Sequence, residues 1–135
     1  MAGKILVVGS LHLDVIVHSS RLPKPDETLL GDNVSYRFGG KGGNQAVAAA
    51  KIDVQVFMAG RIGTDNFGKQ IYDTLSNQNI NLDGLKMVDE ATGMSVALIG
   101  SDGIYSAVVV SGANQTIDLS EICLLYTSPS PRDLV

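Results

Sequence analysis

The side chains that could do chemistry in this sequence fall in two stretches. Gly9-Ser10-Leu11-His12-Leu13-Asp14 follows a short apolar run, Ile5 to Val8. Ligands of open α/β sheets bind beyond the carboxyl ends of strands. A carboxylate placed there, Asp14, can accept paired hydrogen bonds from neighbouring hydroxyl groups. The plain alternative is a turn aspartate that accepts from backbone N–H groups. His12 likewise reads as a ligand group or as a solvated, hydrogen-bonded histidine. No Ser/His/Asp or metal-ligand constellation surrounds it, and no catalytic or metal-binding residue is assigned. The second stretch is Gly39-Gly40-Lys41-Gly42-Gly43, followed by Asn44. Glycines let a ligand touch the backbone, and the unpaired N–H groups of a helix start favour polar or anionic ligands. The run is not a Walker A loop, because Gly42 follows Lys41 where Ser or Thr would be needed to hold magnesium. Nor does its spacing fit a dinucleotide fingerprint. A tight turn with Asn44 as its cap is the alternative.

The elements that must position these groups can be read from periodicity. Ile5 to Val8 is a continuous apolar run and predicts a strand buried on both faces of a parallel sheet. Leu13 to Val17 predicts a second strand, broken by Asp14. Leu22-Pro23-Lys24-Pro25-Asp26 is a loop. Thr28 to Phe38 alternates loosely and predicts half-buried antiparallel strand. The alanine-rich stretch Asn44 to Ile52 predicts a helix, and Val54 to Ala59 another buried strand. Thr64-Asp65 offers capping side chains to a helix whose Phe67, Ile71 and Leu75 share one face. Met94 to Ile99 and Tyr105 to Val110 form a hairpin about Asp102-Gly103. Asp118 and Glu121 fit a partial cap before a last apolar run. This order predicts an α/β fold, with parallel α/β core units carrying a small antiparallel β lid. The lid strands are expected at about 11–38 and 94–111.

Composition narrows the classes. The chain has 135 residues, of which 44% are hydrophobic and 18% charged, enough for one domain with a core. Fifteen glycines point to tight turns or close backbone approaches. A net charge of −4 gives no electrostatic case for nucleic acid. Apolar runs far shorter than a membrane span argue against membrane insertion, and Met1-Ala2-Gly3-Lys4 does not read as a signal peptide. One cysteine, Cys123, excludes an intrachain disulfide and suits a reducing, cytoplasmic setting. Residues 124–135, with two Ser-Pro steps, change character abruptly. They are expected to be an irregular tail outside the domain formed by residues 1–123: a truncation followed by foreign sequence, or a natural disordered terminus.

Taken together these segments resemble the ribokinase family of PfkB-type carbohydrate kinases, from Ile5 to Asn114. Val8-Gly9-Ser10-x-x-x-Asp14 is similar to the family's first strand with its sugar-binding aspartate. Leu22-Pro23-Lys24-Pro25-Asp26-Glu27-Thr28 resembles its P-x-x-(G)-E-T loop. Phe38-Gly39-Gly40-Lys41-Gly42-Gly43-Asn44-Gln45-Ala46 is close to F-G-G-K-G-A-N-Q-A. Gly60-Arg61-Ile62-Gly63-Thr64-Asp65-Asn66-Phe67-Gly68 matches G-x-x-G-x-D-x-x-G. Thr92-Gly93, the hairpin and Ser111-Gly112-Ala113-Asn114 complete the series.

The resemblance implies a kinase that phosphorylates ribose or a related sugar with Mg-ATP, activated by a monovalent cation. It implies substrate contacts from Asp14, Gly39, Gly40, Lys41, Asn44 and His12. Ser95, Ala97 and Val109 become lid residues over the sugar's apolar face, and the lid doubles as a homodimer clasp. The family's G-A-G-D motif, which supplies the anion hole and the aspartate base, does not occur in these residues. The resemblance therefore implies the sugar-binding and lid part, inactive alone. A nucleoside kinase of the same family and a non-catalytic sugar-binding or dimerisation module are the competing readings. Two departures stand out. His12 replaces the family's usual asparagine, which opens the choice of sugar. Asp53 replaces a glycine after the first helix and is expected in the left-handed conformation there.

Overall fold

The strands follow from the apolar runs, and their pairing decides which faces are covered. The computed structural model describes residues 3–126. A parallel sheet of order β1-β4-β5 is built from β1 (Gly3–Val8), β4 (Val54–Gly63) and β5 (Asn81–Val88). Two helices, α1 (Lys41–Ala49) and α2 (Asn66–Ser76), cover one face. Val7, Val56, Met58 and Ile62 of the sheet pack there with Ala46, Ile71 and Leu75. The Phe67–Ile71–Leu75 stripe behaves as its spacing predicts, with Ile71 and Leu75 fully buried. Asp65 caps α2, its Oδ1 accepting from Gly68 N–H at 2.9 Å.

On the opposite face, among the described residues, α3 (Leu119–Tyr126) packs against β4. Buried Arg61 of β4 donates to Glu121 Oε2 at 2.9 Å, and the Tyr126 ring packs edge-on against Phe57. Among the described residues nothing covers the β1 side of this face, and Leu6 and Val8 are exposed. The expected burial of β1 on both faces is therefore corrected: among the described residues β1 is an edge strand covered on one side. Leu124, Leu125 and Tyr126, expected in an irregular tail, form the last turn of α3. The rest of that tail lies outside the described residues.

A second sheet stands on the first, of order β3-β2-β6-β7, with β2 (His12–Ser19), β3 (Asn33–Gly39), β6 (Met94–Gly100) and β7 (Tyr105–Val110). This is the expected lid. It is mixed, because β2 and β6 run parallel between two antiparallel pairs. Both strands leave the core sheet at the same end, which forces the same direction. Asp14 does not break β2 but sits within it. Residues 28–32 belong to the loop before β3, and β4 continues four residues beyond the expected end at Ala59. Strand β5 had no counterpart in the periodicity.

Two local expectations change at the helices. Asn44 does not start α1. Its cap is Gly40, with Lys41, Gly42 and Gly43 already helical. Asp53 is not left-handed. The only non-glycine residues with positive φ among those described are Asp26 and Asn79. Helix α1 ends at a right-handed Ala50, and Ile52 N–H reaches back to the Ala49 carbonyl, so no left-handed stop is needed.

Candidate functional site

All four lid strands meet the core at one end. The junctions are Leu11 before β2, Gly40 after β3, Gly93 before β6 and Ser111 after β7. Around this line of junctions lies an open cavity of about 450 Å³, lined by Ser10, His12, Gly40, Lys41, Asn44, Ser111 and Asn114.

The glycine run builds one wall by letting two backbones touch. Gly40 has φ +89, a conformation that favours glycine. A Cβ there would also lie 2.6 Å from the Ser10 carbonyl oxygen. A Cβ on Gly42 would fall 2.7 Å from the Gly9 carbonyl carbon. Gly43 N–H donates to the Ser10 carbonyl at 3.0 Å. The first turn of α1 is thus pressed onto the β1–β2 turn, and the glycines serve that contact first. Lys41 and Asn44 leave the same turn with exposed side chains at the cavity rim.

The carboxylate faces this wall. Asp14 lies over Gly39 so closely that a Cβ on Gly39 would collide with Asp14 Oδ2. Ser95 Oγ, on the neighbouring strand, donates to Asp14 Oδ1 at 2.8 Å. His12, Asp14, Gly39, Ser95, Ala97 and Val109 share one lid face by register. Of the residues expected to touch substrate, His12, Gly40, Lys41 and Asn44 line the cavity itself. Asp14, Gly39 and Ser95 lie beside it. Ala97 stands farther along the lid and is buried, while Val109, paired opposite Ser95 on β7, is exposed.

Three lining residues were not singled out as site residues: Ser10, Ser111 and Asn114. Asn114 Oδ1 accepts from Leu11 N–H at 2.9 Å, and its Nδ2 donates to the Leu11 carbonyl at 3.0 Å and the Ser111 carbonyl at 2.9 Å. Its only sequence signal was the Ser-Gly-Ala-Asn string.

The other motifs brace the site. Asp65 Oδ2 accepts from Thr92 N–H at 3.0 Å, and its Oδ1 accepts from the Thr92 hydroxyl. Thr92 Oγ1 accepts from Gly63 N–H at 2.8 Å. Burial alone would raise the Asp65 carboxyl, but the bonds from Thr92 and Gly68 outweigh it and hold the group below the ordinary carboxylate value. In the 22–28 loop Glu27 takes both nitrogens of Arg21, at 2.6 and 2.7 Å, and Lys24 N–H at 2.9 Å. The Arg21 hydrogen bonds lead in pulling the Glu27 carboxyl down to about 2. This loop lies beyond the far end of the lid strands, so its motif orders the lid and not the cavity. Among the described residues no three His, Cys, Asp or Glu side chains are grouped to hold a metal ion, and no seat for magnesium is assigned to this chain. No helix of the described residues is long and apolar enough to cross a membrane.

This arrangement of a parallel α/β sheet with a four-stranded lid is shared with solved structures over most of the chain. The chain superposes on Arabidopsis thaliana ribokinase complexed with ribose and ATP with TM-score 0.79 and 39% identity, over 84% of this chain and 38% of that one. Ribokinase from Cryptococcus neoformans in complex with ADP gives 0.80 and 36%, over 93% and 39%. The ribokinase of Bacillus subtilis is 40% identical over 113 residues, 84% of this chain and 39% of that protein. The pfkB family carbohydrate kinase model matches residues 2–126, and the chain belongs to that family. It spans about two fifths of the length of these relatives.

Proposed function

We propose that this chain forms the sugar-binding and lid part of a ribokinase-type kinase, with ribose or a related sugar as substrate. One observation carries the reading: Asp14 lies over Gly39 at the edge of the cavity lined by Gly40, Lys41 and Asn44. A carboxylate accepts from vicinal hydroxyls, an ammonium donates to a sugar oxygen, and an amide does both. His12 can donate from one ring nitrogen and accept at the other. The ribose complex of the Arabidopsis relative, aligned over 84% of this chain, supports the sugar class.

ATP would supply the phosphoryl group in the whole enzyme, with magnesium and a monovalent cation as its ions. None of these is given a seat among the described residues, and this chain's part in the reaction is to hold the sugar and exclude water beneath the lid. Binding without turnover is the expectation for these 135 residues, in a cytoplasmic setting and as a homodimer through the lid.

Calorimetric titration with ribose, adenosine and glucose tests the reading. Ribose heat that Asp14→Ala abolishes supports it. Adenosine heat without ribose heat points to the nucleoside-kinase variant, and silence with all three overturns the sugar site. Clear ATP consumption with ribose would overturn the expectation of inactivity.

A further inference from the structure

Asn114 stands 103 positions from Leu11 in the chain, yet its amide holds both polar groups of the Leu11 backbone. A side-chain amide has two N–H donors, and both are committed here, to the Leu11 and Ser111 carbonyls. Asn114 therefore has no donor left for a ligand, although it lines the cavity. Leu11 is fully buried and joins Ser10 to His12, both on the cavity wall.

The same amide gathers three of the four lid roots. Its own segment follows β7, and Leu11 precedes β2. Gly93, which precedes β6, lies beneath it: a Cβ there would collide with Asn114 Nδ2 and come within 2.8 Å of both His12 Cδ2 and the Leu11 carbonyl oxygen. Gly93 in turn accepts from Leu13 N–H at 3.1 Å, and Ala113 N–H donates to the Ala91 carbonyl at 2.7 Å. Any movement of the lid that parts the root of β7 from the root of β2 must break the bonds to Leu11.

We propose that Asn114 is a positioning residue of the sugar pocket, clamping the Leu11 backbone and so fixing how His12 and Asp14 leave the lid root. This rests on the sugar reading of the cavity. The clamp acts through Leu11 and needs no contact with the sugar.

The test pairs a ligand-free measurement with a ligand-bound one. Amide hydrogen exchange of Leu11 N–H and calorimetric titration with ribose are run on the unvaried chain, Asn114→Ala, Asn114→Asp and Thr116→Ala. Asn114→Ala is expected to speed Leu11 exchange and weaken ribose binding by roughly tenfold each, the scale of one or two net hydrogen bonds. Asn114→Asp keeps the acceptor for Leu11 N–H and loses both donors, so its Leu11 protection falls in between; it also serves if the alanine variant does not fold. Thr116→Ala removes a hydroxyl bond of 2.8 Å to the Ala113 carbonyl in the same 3-10 turn and is expected to change neither readout. Unchanged Leu11 exchange in the Asn114 variants overturns the proposal. So does faster exchange with unchanged ribose affinity, which would make Asn114 a fold element only. Failure of the unvaried chain to take ribose overturns the sugar reading itself, and the exchange arm, which needs no ligand, distinguishes that from failure of the clamp.

Discussion

The Ser95 hydroxyl donates a hydrogen bond to Asp14 Oδ1 at 2.8 Å, between two parallel lid strands. The bond fixes the carboxylate over Gly39 and leaves Asp14 Oδ2 turned to the backbone before the cavity.

Ser95→Ala removes that bond and leaves the carboxylate free to turn. A loss of about 1 kcal/mol in folding stability is expected, the net worth of one such bond, with ribose affinity falling severalfold. Urea unfolding and calorimetry on the same preparation read both. Undiminished affinity would mean that the hydroxyl does not orient Asp14 for binding.

Gly42→Ala sets two effects against each other. Alanine favours a helix over glycine by about 1 kcal/mol, but its Cβ would meet the Gly9 backbone at 2.7 Å. Overpacking against backbone costs about 1–3 kcal/mol, so the variant is expected to be less stable overall, with α1 lifted from the β1–β2 turn. A stability equal to or above that of the unvaried chain would show that this contact can relax.

Asp65 ties the start of α2 to Thr92, and its folded carboxyl sits below its ordinary value. A carboxyl depressed on folding stabilises above its unfolded value, and that stabilisation is lost as pH falls through the folded value. Asp65→Asn keeps one acceptor oxygen but puts an NH2 where Oδ2 accepts from Thr92 N–H, and is expected to lower stability by about 1–3 kcal/mol at neutral pH, the scale of one lost bond to a charged group. The gap between the two proteins should begin to narrow at about pH 4, where the unfolded carboxyl protonates, and go on narrowing as pH falls toward the lower folded value. Unfolding curves from pH 7 to pH 3 measure it; a gap constant with pH would remove the linkage.

Val108 exposes more than two thirds of its surface, on a lid face it shares with Val15, Tyr36 and Val96. Exposed apolar patches of this kind mark association surfaces. Val108→Asp is expected to convert a dimer to a monomer with little change in thermal stability, as read by sedimentation. An unvaried chain that stays monomeric at high concentration would defeat the homodimer.

How much of this was legible from sequence depended on the range of the interactions. Strands and helices with a clean apolar period, such as the β6–β7 hairpin and the Phe67–Leu75 stripe, could be read locally. Strand β5 could not: Asn81-Leu82-Asp83-Gly84-Leu85-Lys86 has no β-branched run. It is held by its parallel pairing to β4, with Leu82 and Leu85 against the core. The exposed side of β1 was misread for the complementary reason, since an apolar run records what a strand can bury and not what arrives to cover it. The glycine run was visible, but its main task, backbone contact with Gly9 and Ser10, required the fold. Asn114 falls in the Ser-Gly-Ala-Asn string, and its partner lies 103 residues away, beyond any local pattern.

The rooting of every lid strand at one end gives the sheet the mechanics of a cantilever. A strand of eight residues reaches roughly 26 Å from its root. A tilt of about 10° at the base would therefore sweep the outer edge through roughly 4 Å while hardly moving His12. Opening wide enough to admit a small solute can thus coexist with a nearly stationary floor.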